Sequence, residues 1–173
     1  GQNMFVYTGL IMHSRSPEEL NGVMAHEIGH IALGHNITRP AAASASAGVS
    51  LITMGLGALA LFAGAPDAAM ALFGSASQFQ LLSFFKFTRA EEAASDLYGI
   101  SLLEKTGQSA NGFAALMEGY RYQELMTETR RSAYWRSHPI WSDRIGAVTK
   151  KASEISTKAR PQTQEELEGL AMM

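Results

Sequence analysis

Cysteine is absent from the 173 residues. That excludes a disulfide scaffold, a Cys-ligated zinc ribbon, a thiol protease and an iron–sulfur protein. Charge is scarce as well. Asp, Glu, Lys and Arg make up 17% of the chain, against about 25% in an ordinary soluble domain. Neither sign dominates, since the net charge is −2, which gives no support for a broad basic face for nucleic acid. The opening Gly1-Gln2-Asn3 shows neither a basic n-region nor an apolar h-region, so it does not read as a secretory leader.

The missing charge has a location. Pro40 to Phe85 is 46 residues with one charge, Asp67, while the other 127 residues carry the remaining 29. The chain therefore reads as one polar domain with a long apolar insert, rich in Ala, Gly, Ser, Leu and Phe. Gly64-Ala65-Pro66-Asp67 splits the insert into two helix-length halves. Ala47 to Ala65 is 19 uncharged residues, long enough for a membrane span. Against a span, that run is rich in Ala and Gly, and the second half contains Ser75, Ser77, Gln78, Gln80 and Ser83. Only Arg39 and Lys86 flank the insert as cations. A helical hairpin packed beside the site, peripheral to a membrane rather than transmembrane, is the expectation. Its apolar surface offers a dock for a membrane or a partner.

Met4 to Thr8 reads as a short strand. Because no partner strand precedes it, upstream residues are expected to be missing. Ser16-Pro17-Glu18-Glu19 has the form of a capping box with proline at the first helical position. Apolar Leu20, Val23, Met24, Ile28 and Ile31 follow at helical spacing, and Gly34 marks the end. Thr88 and Glu91 form a second candidate capping box, opening a helix to Lys105. Further helices are expected over Asn111 to Thr127 and Ser142 to Ser156, with Arg136 to Pro139 extended. The fold class expected is mainly α with a small β-sheet. Residues 1–158 form the domain, 40–86 its insert, and 159–173 a polar tail leading towards a further domain.

The chemistry lies in His26-Glu27-Ile28-Gly29-His30. Residues four apart on a helix share a face, so both imidazoles can converge on one ion. Glu27 points about 100° away and can serve as a general base. This is the H-E-x-x-H arrangement of zinc peptidases. A catalytic zinc needs a third protein ligand and an open fourth position. His13, His35 and His138 remain, as do the carboxylates of Glu91-Glu92-Ala93-Ala94-Ser95-Asp96. Glu92 and Asp96 are four apart, so one can ligate while the other holds a ligand histidine from behind. Glu91 is the rival ligand, with an alternative use in the capping box. His13 and His35 read as surface residues.

Together these motifs resemble the gluzincin metallopeptidases, and more narrowly the HtpX/BepA-like family, which includes the CAAX prenyl proteases. The resemblance runs along nearly the whole chain. It covers Thr8-Gly9-Leu10-Ile11, Glu19-Leu20 with Val23 to His30, Thr88-Arg89-Ala90-Glu91-Glu92-Ala93-Ala94-Ser95-Asp96, and Ser137-His138-Pro139 with Arg144. Thr88 stands where the family usually has Ser, and Ser95 where it has Ala. The insert and the Arg-Ser-His-Pro segment look most like the periplasmic BepA-like branch, whose members often carry a C-terminal tetratricopeptide array.

The resemblance implies one zinc ion per chain, held by His26, His30 and Glu92. It also implies Glu27 as general base and Asp96 orienting a ligand imidazole. His138 is the first candidate for oxyanion donor, followed by Tyr134 and Arg144, and His138 can bind zinc when no substrate is present. Arg144 is expected to pair with a carboxylate. The strand Met4 to Thr8 is expected to bind substrate backbone by edge addition. The implied activity is endopeptidase cleavage of misfolded or unassembled envelope proteins in the periplasm or cell envelope of a Gram-negative bacterium. Partners would be polypeptides, with outer-membrane assembly machinery or a membrane surface reached through residues 40–86, and no nucleic acid. The competing reading is a latent protease acting mainly as a substrate-binding or chaperone module. An intramembrane CAAX-type protease is disfavoured by the lack of several convincing spans.

Overall fold

A computed structural model describes residues 3–171. Gly1, Gln2, Met172 and Met173, the ends of the two expected segments, lie outside the described residues. Eight α-helices and two short 3-10 turns occur among them. These are α1 (Thr8–His13), α2 (Pro17–Ala32), α3 (His35–Phe62), α4 (Pro66–Lys105), α5 (Asn111–Gly119), α6 (Ala133–Ser137), α7 (Ser142–Ser156) and α8 (Gln164–Ala171). The 3-10 turns span Arg121–Leu125 and Glu128–Arg130.

No strand occurs among the described residues, so the small β-sheet is not part of this fold. Met4 to Tyr7 has no regular structure, and Thr8 already begins α1. Phe5 and Tyr7 are exposed. Apolar and aromatic residues favour a strand only where a neighbouring strand supplies the ladder.

The chain divides into two compact units, one of residues 1–33 with 92–173 and the other of residues 34–91. In the first, α2 begins as its sequence dictates. The Ser16 side-chain oxygen accepts from the Glu19 amide at 3.3 Å, and Pro17 fills the first helical position. Glu19 does not close the box onto Ser16. Its buried carboxylate accepts from the Arg15 amide at 2.8 Å and from Arg15 Nε at 3.0 Å. Gly34 ends the turn after α2 with φ 72°, a left-handed value that favours glycine. The core of this unit joins Val23 and Ala25 of α2 with Ile100 and Leu103 of α4. Phe113, Leu116 and Met117 of α5, Trp135, Ile140, and Ile145 and Val148 of α7 complete it.

The second unit is a helical hairpin. Helix α3 runs 28 residues, turns at Gly64 (φ 77°), and returns as the start of α4 at Pro66. The turn falls where Gly64-Ala65-Pro66-Asp67 placed it.

Three local readings differ from expectation. Helix α4 is continuous over 40 residues, so Thr88 does not open a helix. Its hydroxyl donates to the Phe84 carbonyl at 3.1 Å, as a mid-helix threonine does. Arg136 lies inside α6, and the chain leaves helical geometry only at His138, directly before Pro139 (φ −123°, ψ 70°). Helix α5 stops at Gly119 and gives way to the first 3-10 turn rather than running to Thr127.

Candidate metal centre

Helix α2 presents His26 and His30 one turn apart, and α4 presents Glu92 and Asp96 at the same spacing. The helices cross closely enough for these faces to meet because glycine lies at the contact. A Cβ on Gly99 would sit 2.9 Å from the backbone of Ala25 and His26, and one on Gly29 would sit 2.8 Å from the Ser95 carbonyl oxygen. No larger residue fits there without moving a helix.

The result is a dense polar cluster. His26 Nε2 and His30 Nε2 lie 3.0 Å apart. Glu92 Oε2 is 3.4 Å from His26 Nε2, and Glu92 Oε1 is 3.3 Å from His30 Nε2. His138 joins them, with Nδ1 3.2 Å from Glu92 and 3.3 Å from His26 Nε2. His26 and Glu92 are wholly enclosed, and His30 nearly so. The four donors lie within 4.8 Å of one another.

This donor set fits a tetrahedral ion. Ligands about 2.0–2.1 Å from one zinc lie about 3.3–3.4 Å from each other. Such crowding of lone pairs in a buried site is costly without a cation between them. Three imidazoles with one carboxylate suit zinc or a similar borderline metal.

The layer behind the cluster holds it in place. Asp96 Oδ1 lies 2.8 Å from His26 Nδ1, off the axis of a straight ring N–H bond. The proton is thereby assigned to Nδ1, which leaves the Nε2 lone pair facing the cluster. Arg144 grips Asp96 with two bonds, Nε to Oδ2 at 2.7 Å and NH2 to Oδ1 at 2.8 Å. Its third nitrogen reaches Glu92 Oε2 at 3.0 Å and the Pro139 carbonyl at 2.9 Å. One buried guanidinium thus ties the acidic face of α4 to the His-Pro segment.

Protonation follows from these contacts. Burial alone would raise the carboxyl of Glu92, but hydrogen bonds from His138, His26 and His30 and the charge of Arg144 hold it far below the usual range. Asp96 is likewise held low, with Arg144 overcoming burial. Burial lowers His30. In His26, burial is outweighed by Asp96 and Glu92, and the imidazole lies above its ordinary value.

Glu27 lies at the edge of the cluster and is partly exposed. The Tyr134 hydroxyl donates to its Oε1 at 3.1 Å, and His138 Nε2 is 3.4 Å from the same oxygen. Tyr134 stacks on His138 with ring centroids 4.7 Å apart. Burial, then the Glu27 charge, raises the phenol well above its ordinary value, so it is a neutral donor at pH 7.

The structure brings His26, Glu27, His30, Glu92, Asp96, His138 and Arg144 into one site. Glu91 is not in it. Its carboxylate accepts from the Thr38 hydroxyl and from Arg39 Nε, each at 2.8 Å, within the second unit. His13 is exposed, and its ring donates to the Gly9 carbonyl at 2.8 Å. His35 is buried at the start of α3 rather than on the surface. The Tyr134–Glu27 bond spans 107 residues and has no local signal in the sequence.

Comparison with known proteins points the same way. The profile described as Peptidase family M48 matches residues 1–152. The chain is 30% identical over 158 residues to the putative beta-barrel assembly-enhancing protease of Vibrio cholerae, covering 89% of this chain and 31% of that protein. It is 30% identical over 159 residues to Metalloprotease LoiP of Escherichia coli, covering 88% and 56%. To Metalloprotease YcaL of Escherichia coli it is 28% identical over 148 residues, covering 80% and 50%. The chain thus spans between 31% and 56% of the length of these relatives. No solved structure matches it.

Proposed function

The chain belongs to peptidase family M48, and on that footing we propose that it is a zinc-dependent endopeptidase with Glu27 as general base. The observation that carries this reading is the convergence of His26, His30 and Glu92 beside a partly exposed glutamate that is free of the ligand set. A zinc ion held there supplies a Lewis acid that polarises a carbonyl and makes water acidic near neutral pH.

The chain's own residues do the rest. Glu27 accepts the proton of the attacking water and delivers it to the leaving amine. Asp96 fixes the tautomer of His26, and Arg144 fixes Asp96. Tyr134, kept neutral, offers its hydroxyl as a hydrogen-bond donor where a carbonyl oxygen gains charge. His138 takes the fourth position among the donors at rest and swings aside for a peptide, where it too can donate.

The position of His138 also supports the second reading, a latent protease. A ring nitrogen 3.2 Å from Glu92 stands where an open position is needed. Access then depends on displacing one imidazole, and substrate binding without cleavage is the resting behaviour.

Polypeptides are the substrates. Relatives named for beta-barrel assembly support misfolded or unassembled envelope proteins as the class, and the periplasm or cell envelope of a Gram-negative bacterium as the place.

The test joins metal analysis to proteolysis of a reduced, unfolded protein. Wild type and Glu27→Gln should each hold about one zinc per chain. Glu92→Ala should lose it, and Glu91→Ala should keep it. Cleavage should fall about 10²–10⁴-fold in Glu27→Gln. Equal cleavage by wild type and Glu27→Gln would remove the enzyme reading, and zinc loss in Glu91→Ala alone would move the ligand.

A further inference from the structure

Helix α6 is too short to hold itself. It has five residues, and isolated helices below about 12–15 residues are marginal in water. Yet it carries Tyr134 and ends at His138, and both side chains meet Glu27. Contacts from outside must therefore set its position.

Two of these contacts lie in the middle and at the exit. Trp135 is buried in the core, with ring centroids 5.3 Å from Tyr120 and 4.9 Å from Tyr134. Beyond the helix, Arg144 donates to the Pro139 carbonyl at 2.9 Å. Neither fixes how the helix begins. Ser132, at the N-cap, offers no side-chain bond to the first turn.

The entry is held by Gln123. This amide is 5% exposed, although it lies in the 3-10 turn Arg121–Leu125, where Arg121, Tyr122 and Leu125 are exposed. A buried amide is costly unless it is hydrogen-bonded. Here its Oε1 accepts from the Ser132 backbone amide at 3.1 Å. The same turn is gripped from the other side. Arg131 donates from Nε to the Gln123 carbonyl at 3.0 Å and from Nη2 to the Glu124 carbonyl at 3.3 Å. The Glu124 carboxylate accepts from the Ser142 amide at 3.2 Å and from its hydroxyl at 2.7 Å, at the start of α7. One turn thus ties down the first residues of the two helices that bring Tyr134 and Arg144 to the site.

We propose that Gln123 is a positioning residue for peptide hydrolysis: its amide oxygen fixes the entry of α6 and so aims the Tyr134 hydroxyl, two residues further on. The proposal rests on the peptidase reading and goes beyond it, because Gln123 touches neither the metal donors nor Glu27. It acts only through the segment that Tyr134 belongs to.

The test uses the zinc-loaded 173-residue chain and a quenched fluorogenic peptide. Gln123→Met keeps the side-chain length and removes the acceptor. Gln123→Glu keeps an acceptor oxygen. Ser132→Pro removes the donor instead. Ser132 is exposed, with φ −62° and ψ 155°, and Arg131 before it has φ −66° and ψ 147°, so proline fits the backbone there. Melting temperature and helix content check folding, and metal analysis should give about one zinc per chain throughout. In Gln123→Met and in Ser132→Pro, kcat should fall about 10–100-fold with KM little changed, as for a misplaced group. Gln123→Glu should recover most of the loss. Added to Tyr134→Phe, Gln123→Met should cost less than about two-fold more, because both act on one hydroxyl. Hydrogen exchange by mass spectrometry should be several-fold faster over residues 132–138 in Gln123→Met, and unchanged in Gln123→Glu. Unchanged or raised kcat, a loss carried by KM, failure of the glutamate to rescue, full multiplication with Tyr134→Phe, or unchanged exchange overturns the proposal. Equal cleavage by wild type and Glu27→Gln sinks the peptidase reading instead, and exchange alone then upholds or overturns the anchoring of α6.

Discussion

Replacing Arg144 with methionine should be among the most destabilising single changes in the catalytic unit. The guanidinium is buried, and it serves Asp96 twice, Glu92 once and the Pro139 carbonyl once, all at 2.7–3.0 Å. Methionine fills much of the volume but leaves two enclosed carboxylates facing each other without a cation. Breaking a buried ion pair from one side costs about 3–5 kcal/mol. For a chain of this size each kcal/mol is worth about 2–4 °C, so the apoprotein should melt about 6–20 °C lower. Zinc affinity should fall about 10–100-fold, because Asp96 no longer holds His26 rigidly.

The effect depends on pH with a definite sign. Asp96 and Glu92 are held below the ordinary carboxylate range in the folded state. The stability they confer is present at pH 7 and is lost as pH falls through those depressed values. In Arg144→Met the same groups are penalised when charged and relieved by protonation. The gap between the two proteins therefore narrows in acid. The assay is thermal unfolding by circular dichroism, chelator-treated, in one mild detergent, at pH 7 and pH 4. A loss under about 1 kcal/mol, as for an exposed pair, would refute the claim that this guanidinium is a buried keystone. So would a gap that widens in acid.

Gly99→Ala should also disturb the site without touching a ligand. Its Cβ meets the backbone of Ala25 and His26 at 2.9 Å, which forces α2 away from α4 at a cost of about 1–3 kcal/mol. Gly146→Ala in α7, where nothing lies within 4 Å, is the control, and should be neutral or stabilise by about 0.5–1 kcal/mol. Zinc competition titration should show weaker binding in the first variant and none of that loss in the second. At the far end of the chain, Glu166 bonds Arg160 and the Thr163 amide, and these bonds hold its carboxyl at about 2. The contacts persist at neutral pH and are lost as pH falls through that value. A carboxyl-carbon NMR titration should place the midpoint of Glu166 near that value, and a midpoint in the ordinary glutamate range would refute the assignment.

Much of the site was legible because its determinants are local. The i, i+4 spacing of His26 and His30 and of Glu92 and Asp96 needs only helical geometry, and Ser16-Pro17 sets the phase of the first helix. The crossing glycines could be read in retrospect, since Gly29 and Gly99 each sit on a ligand-bearing helix. What stayed hidden depends on pairing across the chain. Met4 to Thr8 has strand composition, but composition cannot create a neighbouring strand. The Tyr134–Glu27 bond joins residues 107 apart, and no periodicity reports it. Thr88-x-x-Glu91 has the letters of a capping box, yet a box acts only where a helix begins. Here the helix has already run 22 residues before Thr88, and the threonine bonds backwards instead.

Glu91 and Glu92 show why a motif must be read together with its neighbours. On one helix they differ by about 100°, and that rotation sends them to different tasks. Glu92 joins His26, His30 and His138. Glu91 accepts from Thr38 and Arg39, at the base of the hairpin. Both are buried, and a buried carboxylate requires a partner. The partner decides the role: a single cation with a hydroxyl neutralises Glu91 fully and leaves it nothing to ligate. Glu92 faces three imidazoles and shares Arg144 with Asp96, so its lone pairs still converge on a common point. The distinction between a structural acid and a candidate ligand is thus carried by what the second oxygen of each carboxylate meets.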